Sequence, residues 1–303
     1  MNIGIPKEVR PSEFRVGLSP AGVRALTNQN HVVFIEHDAG IGAGFDDSHY
    51  EDAGASIVYS AHEVYGRADL VTKFTRPLEK EIEYMREGTA IAGMILLHSA
   101  KKRKIDLLNE KKITTIAYER IKLEDGTRPI LHPLSKIGGR MVAQVAASLL
   151  ENTNGGKGIL LGGMPGIPPA EIVIFGAGSA GYCATRAFLG LGAKVTLLDK
   201  DPEALSGAFS NFPTITTMLT TPMNIEKVCQ YADVLIGAAS TPGKIAPKII
   251  TREHVRMMKP RSVIMDIAID QGGNVETSRP TTHDTPTFID ENIIHYCVPN
   301  MPG

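Results

Sequence analysis

The run Gly176-Ala177-Gly178-Ser179-Ala180-Gly181 constrains this chain more than any other segment. It follows directly on the apolar stretch Glu171-Ile172-Val173-Ile174-Phe175 and opens the helical pattern Ser179–Leu189, where Ala180, Ala184 and Ala187 suit close packing. A strand turning into a helix through glycines at this spacing predicts the start of a doubly wound α/β unit. Gly176 permits the tight turn, Gly178 lets a diphosphate approach the backbone, and Gly181 lets the helix lie close to the strand. Ser179 and Ala180 begin a helix whose first amides attract negative charge. The following strand, Lys194 to Asp199, ends in an acid 18 residues past Gly181. A carboxylate there hydrogen-bonds the adenosine ribose hydroxyls and repels a 2′-phosphate, so NAD is expected rather than NADP.

Further strands are predicted at Val234–Ala238, Val263–Asp266 and Ile294–Val298. Ligands of open α/β sheets lie beyond the carboxyl ends of strands, which places Ala239, Ser240, Ile267 and Asp270 on the cofactor side. The small residues Ala238–Ser240 would let a nicotinamide lie against the backbone.

The first 130 residues alternate in the same way. Asn2–Ile5, Val32–Glu36, Ser56–Val58, Asp69–Phe74, Thr89–Leu96 and Thr114–Tyr118 read as strands. Pro20–Gln29, Ser48–Ala53, Ala61–Tyr65, Leu78–Arg86 and Lys101–Glu110 read as helices, the first with Ser19 as N-cap and Pro20 at the first helical position. Alternation of this kind predicts a mostly parallel sheet with helices on both faces. A longer helix from Pro133 to Glu151, with Met141, Val145 and Leu149 on its apolar side, leads into the glycine- and proline-rich stretch 152–169. The expected organisation is a substrate domain over 1–132, a linking helix and loop over 133–168, and a Rossmann-type dinucleotide domain over 169–303. A cleft between the two domains is the expected place of reaction.

A formal charge of -1 over 303 residues leaves no general attraction to nucleic acid or an anionic membrane. The longest apolar stretches, such as Ile91–Leu97, fall far short of the roughly 18 residues a membrane span needs. MNIGIPKEVR carries no signal-peptide apolar region, and Cys183, Cys229 and Cys297 have neither disulfide-framework nor metal-ligand spacing. A cytoplasmic, metal-free protein is the expectation.

Gly4-Ile5-Pro6-Lys7-Glu8, Glu13-Phe14-Arg15-Val16 and Ser19-Pro20-Ala21-Gly22-Val23 open a series of motifs that continues along the chain. It runs through Ala117-Tyr118-Glu119, Leu134-Ser135, Gly139-Arg140, Gly162-Gly163-Met164-Pro165-Gly166, Asp266–Gly273, Ser278–Thr282 and Asn300-Met301-Pro302-Gly303. In these motifs the chain resembles the alanine dehydrogenase family, which includes the NAD-binding subunit of proton-pumping transhydrogenase. The resemblance implies oxidation of a small L-amino acid, L-alanine first, to the 2-oxo acid and ammonium with NAD, or the reverse. It implies that Arg15 holds the substrate carboxylate, for which a guanidinium is suited bidentately, unless Arg15 serves an ion pair with Glu8 or Glu13. It implies that Asp270 manages protons, the alternative being a solvated loop acid. It also implies cofactor contacts at Ser135, Val298 and Met301, and a homo-oligomer, dimer or hexamer.

Two positions depart from the family pattern. Where the family carries lysine-x-lysine, this chain has Lys73-Phe74-Thr75, so Thr75 stands in the place of the substrate-facing lysine and Lys73 is expected to turn away from the substrate. The catalytic histidine of the family corresponds to His98 if the preceding strand is lengthened, whereas counting without gaps from Gly88 reaches Leu96. Family chains also continue beyond the asparagine-methionine-proline motif, so a tail that returns to the first domain is expected to be missing here. These departures keep two other readings open: an NAD(H)-binding module without dehydrogenase activity, and a dehydrogenase of another amino acid.

Overall fold

The computed structural model describes the whole chain except Pro242, Gly243, Asn300 and Gly303, and leaves the side chain of His98 outside the description. The chain forms two compact units, Met1–Ile130 and Leu131–Pro302.

The first unit runs β1 (Asn2–Ile5), α1 (Pro20–Thr27), β2 (Val32–Glu36), α2 (Asp47–Asp52), β3 (Ser56–Val58), α3 (Ala61–Arg67), β4 (Leu70–Thr72), α4 (Glu79–Tyr84), β5 (Ala90–Gly93), α5 (Lys102–Glu110) and β6 (Thr114–Ala117). Its six-stranded sheet is parallel in the order β3-β2-β1-β4-β5-β6. Apolar clusters cover both faces. Ile3, Ile5, Val23, Ile35 and Tyr50 belong to one, and Tyr65, Val71, Ile91 and Ile95 to another. A fully buried side chain of this kind contributes about 1.5–3 kcal/mol. At the head of α1, Ser19 Oγ accepts from the Gly22 amide at 3.3 Å with Pro20 next in line, as the sequence predicts.

Strands β4 and β5 both stop short of their predicted ends, for the same reason. The amides of Phe74 and Thr75 donate to the Glu8 carboxylate at 2.7 and 3.1 Å instead of to a neighbouring strand. The amides of Ile95 and Leu96 donate to Glu119 at 3.2 and 2.8 Å, with Leu96 in the left-handed region at φ 50°. Glu8 and Glu119 are each 8% exposed, and a buried carboxylate that collects backbone N–H groups ends a ladder as effectively as a proline.

The second unit runs α6 (Leu131–Leu149), β7 (Glu171–Phe175), α7 (Ser179–Gly190), β8 (Lys194–Asp199), α8 (Pro202–Asn211), β9 (Thr216–Leu219), α9 (Pro222–Tyr231), β10 (Val234–Gly237), α10 (Arg252–Arg256), β11 (Val263–Asp266), β12 (Thr287–Asp290) and β13 (Ile293–Tyr296). Its sheet has the order β12-β13-β11-β10-β7-β8-β9, parallel except for the antiparallel edge strand β12. The sequence expectation does not include β9, β12 or α8 to α10, although Asp201-Pro202 and Thr221-Pro222 are legible N-cap signals. Helix α6 packs in the core of this unit beside α7. Its buried side comprises Gly139, Val142, Ala143 and Ala146, one residue round from the expected Met141, Val145 and Leu149, which are half-buried.

Among the described strands, the parallel strands of each sheet, counted alone, therefore follow the 3-2-1-4-5-6 arrangement of a doubly wound fold, with a switch point between the first and fourth. That lies between β1 and β4 in the first unit and between β7 and β10 in the second.

Candidate functional site

At the switch point of the second unit, the turn from β7 into α7 is held by close backbone contacts. Gly176 has φ 109°, and a Cβ there would lie 2.7 Å from the Ala238 carbonyl oxygen at the end of β10. A Cβ on Gly181 would fall inside the carbonyl oxygen of Gly176, so the first turn of α7 rests directly on the loop. A Cβ on Gly178 would meet nothing within 4 Å. At this position nothing in the described protein requires the absence of a side chain.

No side chain caps α7, so the amides of its first turn, from Ser179 and Ala180 onward, point at open space with the positive end of the helix dipole behind them. Asp199 at the end of β8 accepts from the Ala177 amide at 2.6 Å and the Asp201 amide at 3.0 Å, which brings its carboxylate against the glycine loop. Each carboxylate oxygen retains a lone pair for a ligand hydroxyl.

A cavity of about 410 Å³ opens beside this loop, lined by Gly178, Ser179 and four basic side chains, His132, Lys136, Arg140 and Arg186. The first three are four residues apart and share one face of α6. Among the described residues no carboxylate lines the cavity, so its electrostatics suit an anion. Ser135 lies half-buried on α6 beside Lys136. The site therefore fits a dinucleotide: amides and cations for a diphosphate, an acid for a ribose, and space at Gly178.

The other predicted contacts divide by burial. Ala239 and Ile267 are half-buried and Ser240 is exposed, at the ends of β10 and β11 as expected. Val298 and Met301 are 4% and 5% exposed, and their side chains pack into the main apolar core. Asn300, between them, lies outside the described residues. Asp270 is half-buried in the short 3-10 turn Ile269–Gln271, which Gly272 and Gly273 close at φ 105° and 77°. Behind it, Asp266 is buried, and its Oδ2 accepts from the Val275 amide at 3.0 Å. Burial raises the Asp266 pKa above the ordinary carboxylate value.

The switch point of the first unit is occupied by its own side chains. Lys73 is 1% exposed, with Nζ 3.1 Å from Glu8 and 2.7 Å from Glu81. Thr75 donates through Oγ1 to the same Glu8 carboxylate. The expectation that Lys73 turns away is corrected here: residues two apart in extended backbone share a side, and both reach Glu8. Tyr65 donates to Glu81 at 2.8 Å, and burial together with that charge raises the phenol pKa. Lys73 is thus locked inside a buried polar network, and Thr75 offers a hydroxyl, already given to Glu8, where a cation was sought.

Arg15 does form the ion pair that the sequence left as an alternative. Its Nε and Nη2 engage the two oxygens of Glu13 at 2.7 and 2.6 Å, and the guanidinium lies 3.7 Å over the Phe74 ring. The pair fixes the plane of the guanidinium at the end of β4. His98 falls in the 3-10 turn Leu97–Ser99, but its side chain lies outside the described residues. Next to that turn, Arg76 donates to Ser99 Oγ at 3.2 Å while its carbonyl accepts from Arg10 at 3.3 Å. Burial, then the charges of Arg10 and Arg76, lower the Lys104 pKa. Lys104 and Glu81 escape sequence reasoning; Glu119 sits in a recognisable motif without an assigned role, and Glu8 and Glu13 are legible only as candidate partners of Arg15.

Fold and site together define a class: a two-unit α/β protein with a dinucleotide site on its Rossmann-type second unit. Residues 4–138 match the alanine dehydrogenase/PNT N-terminal domain, and residues 142–303 match the corresponding C-terminal domain. The chain belongs to the alanine dehydrogenase/PNT family. It is 46% identical over 306 aligned residues to an alanine dehydrogenase of Staphylococcus haemolyticus, covering 100% of this chain and 81% of that one. A solved L-alanine dehydrogenase superposes with a TM-score of 0.91 at 42% identity, covering 100% of this chain and 83% of the other. A transhydrogenase from Sinorhizobium meliloti follows at a TM-score of 0.84 and 26% identity, covering 99% and 87%.

Proposed function

We propose that the protein is an NAD-dependent amino-acid dehydrogenase that interconverts L-alanine with pyruvate and ammonium. The observation that carries this reading is the glycine loop with Asp199 against it, in a chain that resembles an alanine dehydrogenase along its whole length. NAD, when bound, supplies the hydride acceptor.

The residues of this chain do the rest. Amides of the loop and the first turn of α7 hold the diphosphate, with Lys136, Arg140 and Arg186 adding charge, and Asp199 takes the ribose hydroxyls. The small segment Ala239–Ser240 and Ile267 border the nicotinamide, with Ser135 and the backbone at Val298 and Met301 completing the cofactor contacts. Arg15, oriented by Glu13 and Phe74, receives the substrate carboxylate. The Asp270 carboxylate takes a proton from the substrate amine, and the imidazole of His98 takes one from the attacking water. With Thr75 and Lys73 both committed to Glu8, neither supplies a free cation; Arg76, which donates to Ser99 in the His98 turn, and Arg10 and Lys104 near it are other cations at this end of the sheet.

Among the described residues no helix is long and apolar enough to cross a membrane. Three free, buried cysteines support a reducing, cytoplasmic setting. The exposed Leu160, Met164 and Ile167 support assembly into a homo-oligomer. The domain reading stays close to the sequence expectation, with 1–130 as the substrate domain and α6 allied to the dinucleotide domain.

One observation favours a second reading, an NAD(H)-binding module without turnover: Thr75, where the family has lysine, is tied to Glu8. The test is NADH formation with a panel of L-amino acids beside an NADH-binding titration. Turnover with L-alanine supports the first reading; binding with no turnover on any amino acid supports the second; turnover that excludes alanine makes it a dehydrogenase of another substrate.

A further inference from the structure

Asn274 is fully buried directly behind the loop that carries Asp270, and its polar atoms are engaged on three sides. Its Oδ1 accepts from the Ala239 amide at 2.9 Å, and its Nδ2 donates to the Ala239 carbonyl at 2.8 Å and the Pro247 carbonyl at 3.0 Å. Its own carbonyl accepts from the amides of Ile249 and Ile250 at 2.8 and 3.1 Å. The amide of Val275, the next residue, donates to Asp266, the last residue of β11, at 3.0 Å.

This pairing is chemically selective. A primary amide offers a donor and an acceptor side by side, so it meets the N–H and the C=O of one residue, Ala239, in the way a neighbouring strand would. The fit also depends on Gly237. A Cβ at 237 would lie 3.1 Å from Asn274 Oδ1 and 3.2 Å from Asp266 Oδ1, tighter than side chains ordinarily tolerate. β10 thus ends in a glycine that admits the amide, and the amide then seizes the next segment but one.

We propose that Asn274 is a positioning residue for the reaction: it ties the Asp270 loop to the Ala239–Ser240 segment and so sets the distance between the proton-handling acid and the nicotinamide side of the site. The claim rests on the reading of Asp270 and Ala239–Ser240 as reaction-side groups. An ångström of misplacement at such a site costs about a hundredfold in rate, and loss of the amide releases the two segments from each other.

Two variants test it. Asn274→Leu keeps the bulk and loses every hydrogen bond; Asn274→Asp keeps the shape and the acceptor but loses both N–H donors. Hydrogen exchange at the Ala239 amide, NADH affinity by fluorescence titration, and kcat against pH are measured in each. In Asn274→Leu the Ala239 amide should exchange freely, and kcat should fall about tenfold to a hundredfold while NADH affinity changes by less than about threefold. In Asn274→Asp, kcat relative to wild type should recover as pH falls, because the protonated acid regains one donor. Wild-type kcat with wild-type Ala239 exchange in Asn274→Leu overturns the proposal. If Asn274→Leu does not fold, a pH-independent kcat ratio in Asn274→Asp overturns it instead. A wild-type chain that binds NADH without turnover overturns the dehydrogenase reading alone. The positioning role is then judged by whether NADH protects residues 267–273 from exchange in wild type and not in the variants; equal protection overturns it.

Discussion

Replacing Gly178 and Gly181 by alanine separates what the glycine loop does for a ligand from what it does for the fold. Gly178 has φ -70° and ψ -174°, a backbone that alanine adopts without strain, and its Cβ would meet nothing within 4 Å. Gly178→Ala should therefore change the stability of the apo protein by less than about 1 kcal/mol, since reduced freedom of the unfolded chain offsets a poorer N-cap. The added methyl instead stands where a diphosphate must approach the amides. Losing one charge-assisted hydrogen bond costs about 1.5–3 kcal/mol, which raises the NADH Kd about tenfold to 150-fold. Gly181→Ala acts the other way round. Its Cβ would overlap the Gly176 carbonyl, so α7 must move off the loop, at a cost of about 1–3 kcal/mol or more. The assays are the melting transition of the apo protein and a fluorescence titration with NADH. Gly178→Ala that binds NADH as wild type does would refute the assignment of this loop to a diphosphate. Gly181→Ala that melts as wild type does would refute the packing argument.

Four further outcomes follow from the same geometry. Asp199→Ala should weaken NADH binding about tenfold and narrow the preference for NADH over NADPH, as read from paired titrations of the two cofactors. Lys73→Met leaves Glu8 and Glu81 without their buried cation and should destabilise the protein by about 3–5 kcal/mol in urea unfolding, whatever its effect on turnover. Burial holds the Asp266 pKa up in the folded state, so its favourable contribution is full below the ordinary carboxylate pKa and is lost as pH rises through the raised value. Asp266→Asn cannot ionise and should show a flatter stability–pH curve above the ordinary carboxylate range; a wild-type slope would place the titration elsewhere. Lys136→Glu and Arg140→Glu should each weaken NADH binding about two- to fivefold at low salt and less at high salt, a difference that Debye screening removes.

The parts of the fold legible in the sequence are those with local physical causes. The six strands of the first unit and the strand-glycine-helix start of the second follow from apolar periodicity and from glycines that only a turn or a close approach demands. Asp199 is legible because chain geometry fixes its distance from the loop, and the structure brings its carboxylate to the Ala177 amide. Where strands end was less legible. β4 and β5 stop because Glu8 and Glu119, distant in sequence, take the amides that would have continued the ladders.

The substrate half shows the same division. Sequence alone marks Arg15, Lys73, Thr75, His98 and Asp270 as chemically interesting, and marks Thr75 as a departure. Sequence leaves Glu8 or Glu13 as the partner of Arg15; tertiary structure selects Glu13, adds the Phe74 platform, and turns Lys73 inward between two acids. It also makes Asn274 the brace of the Asp270 loop. Identity, spacing and periodicity are properties of the chain and can be read along it. A buried charge or amide is defined by its partners, and partners such as Glu8 for Lys73 or Ala239 for Asn274 arrive only when segments tens of residues apart fold against one another.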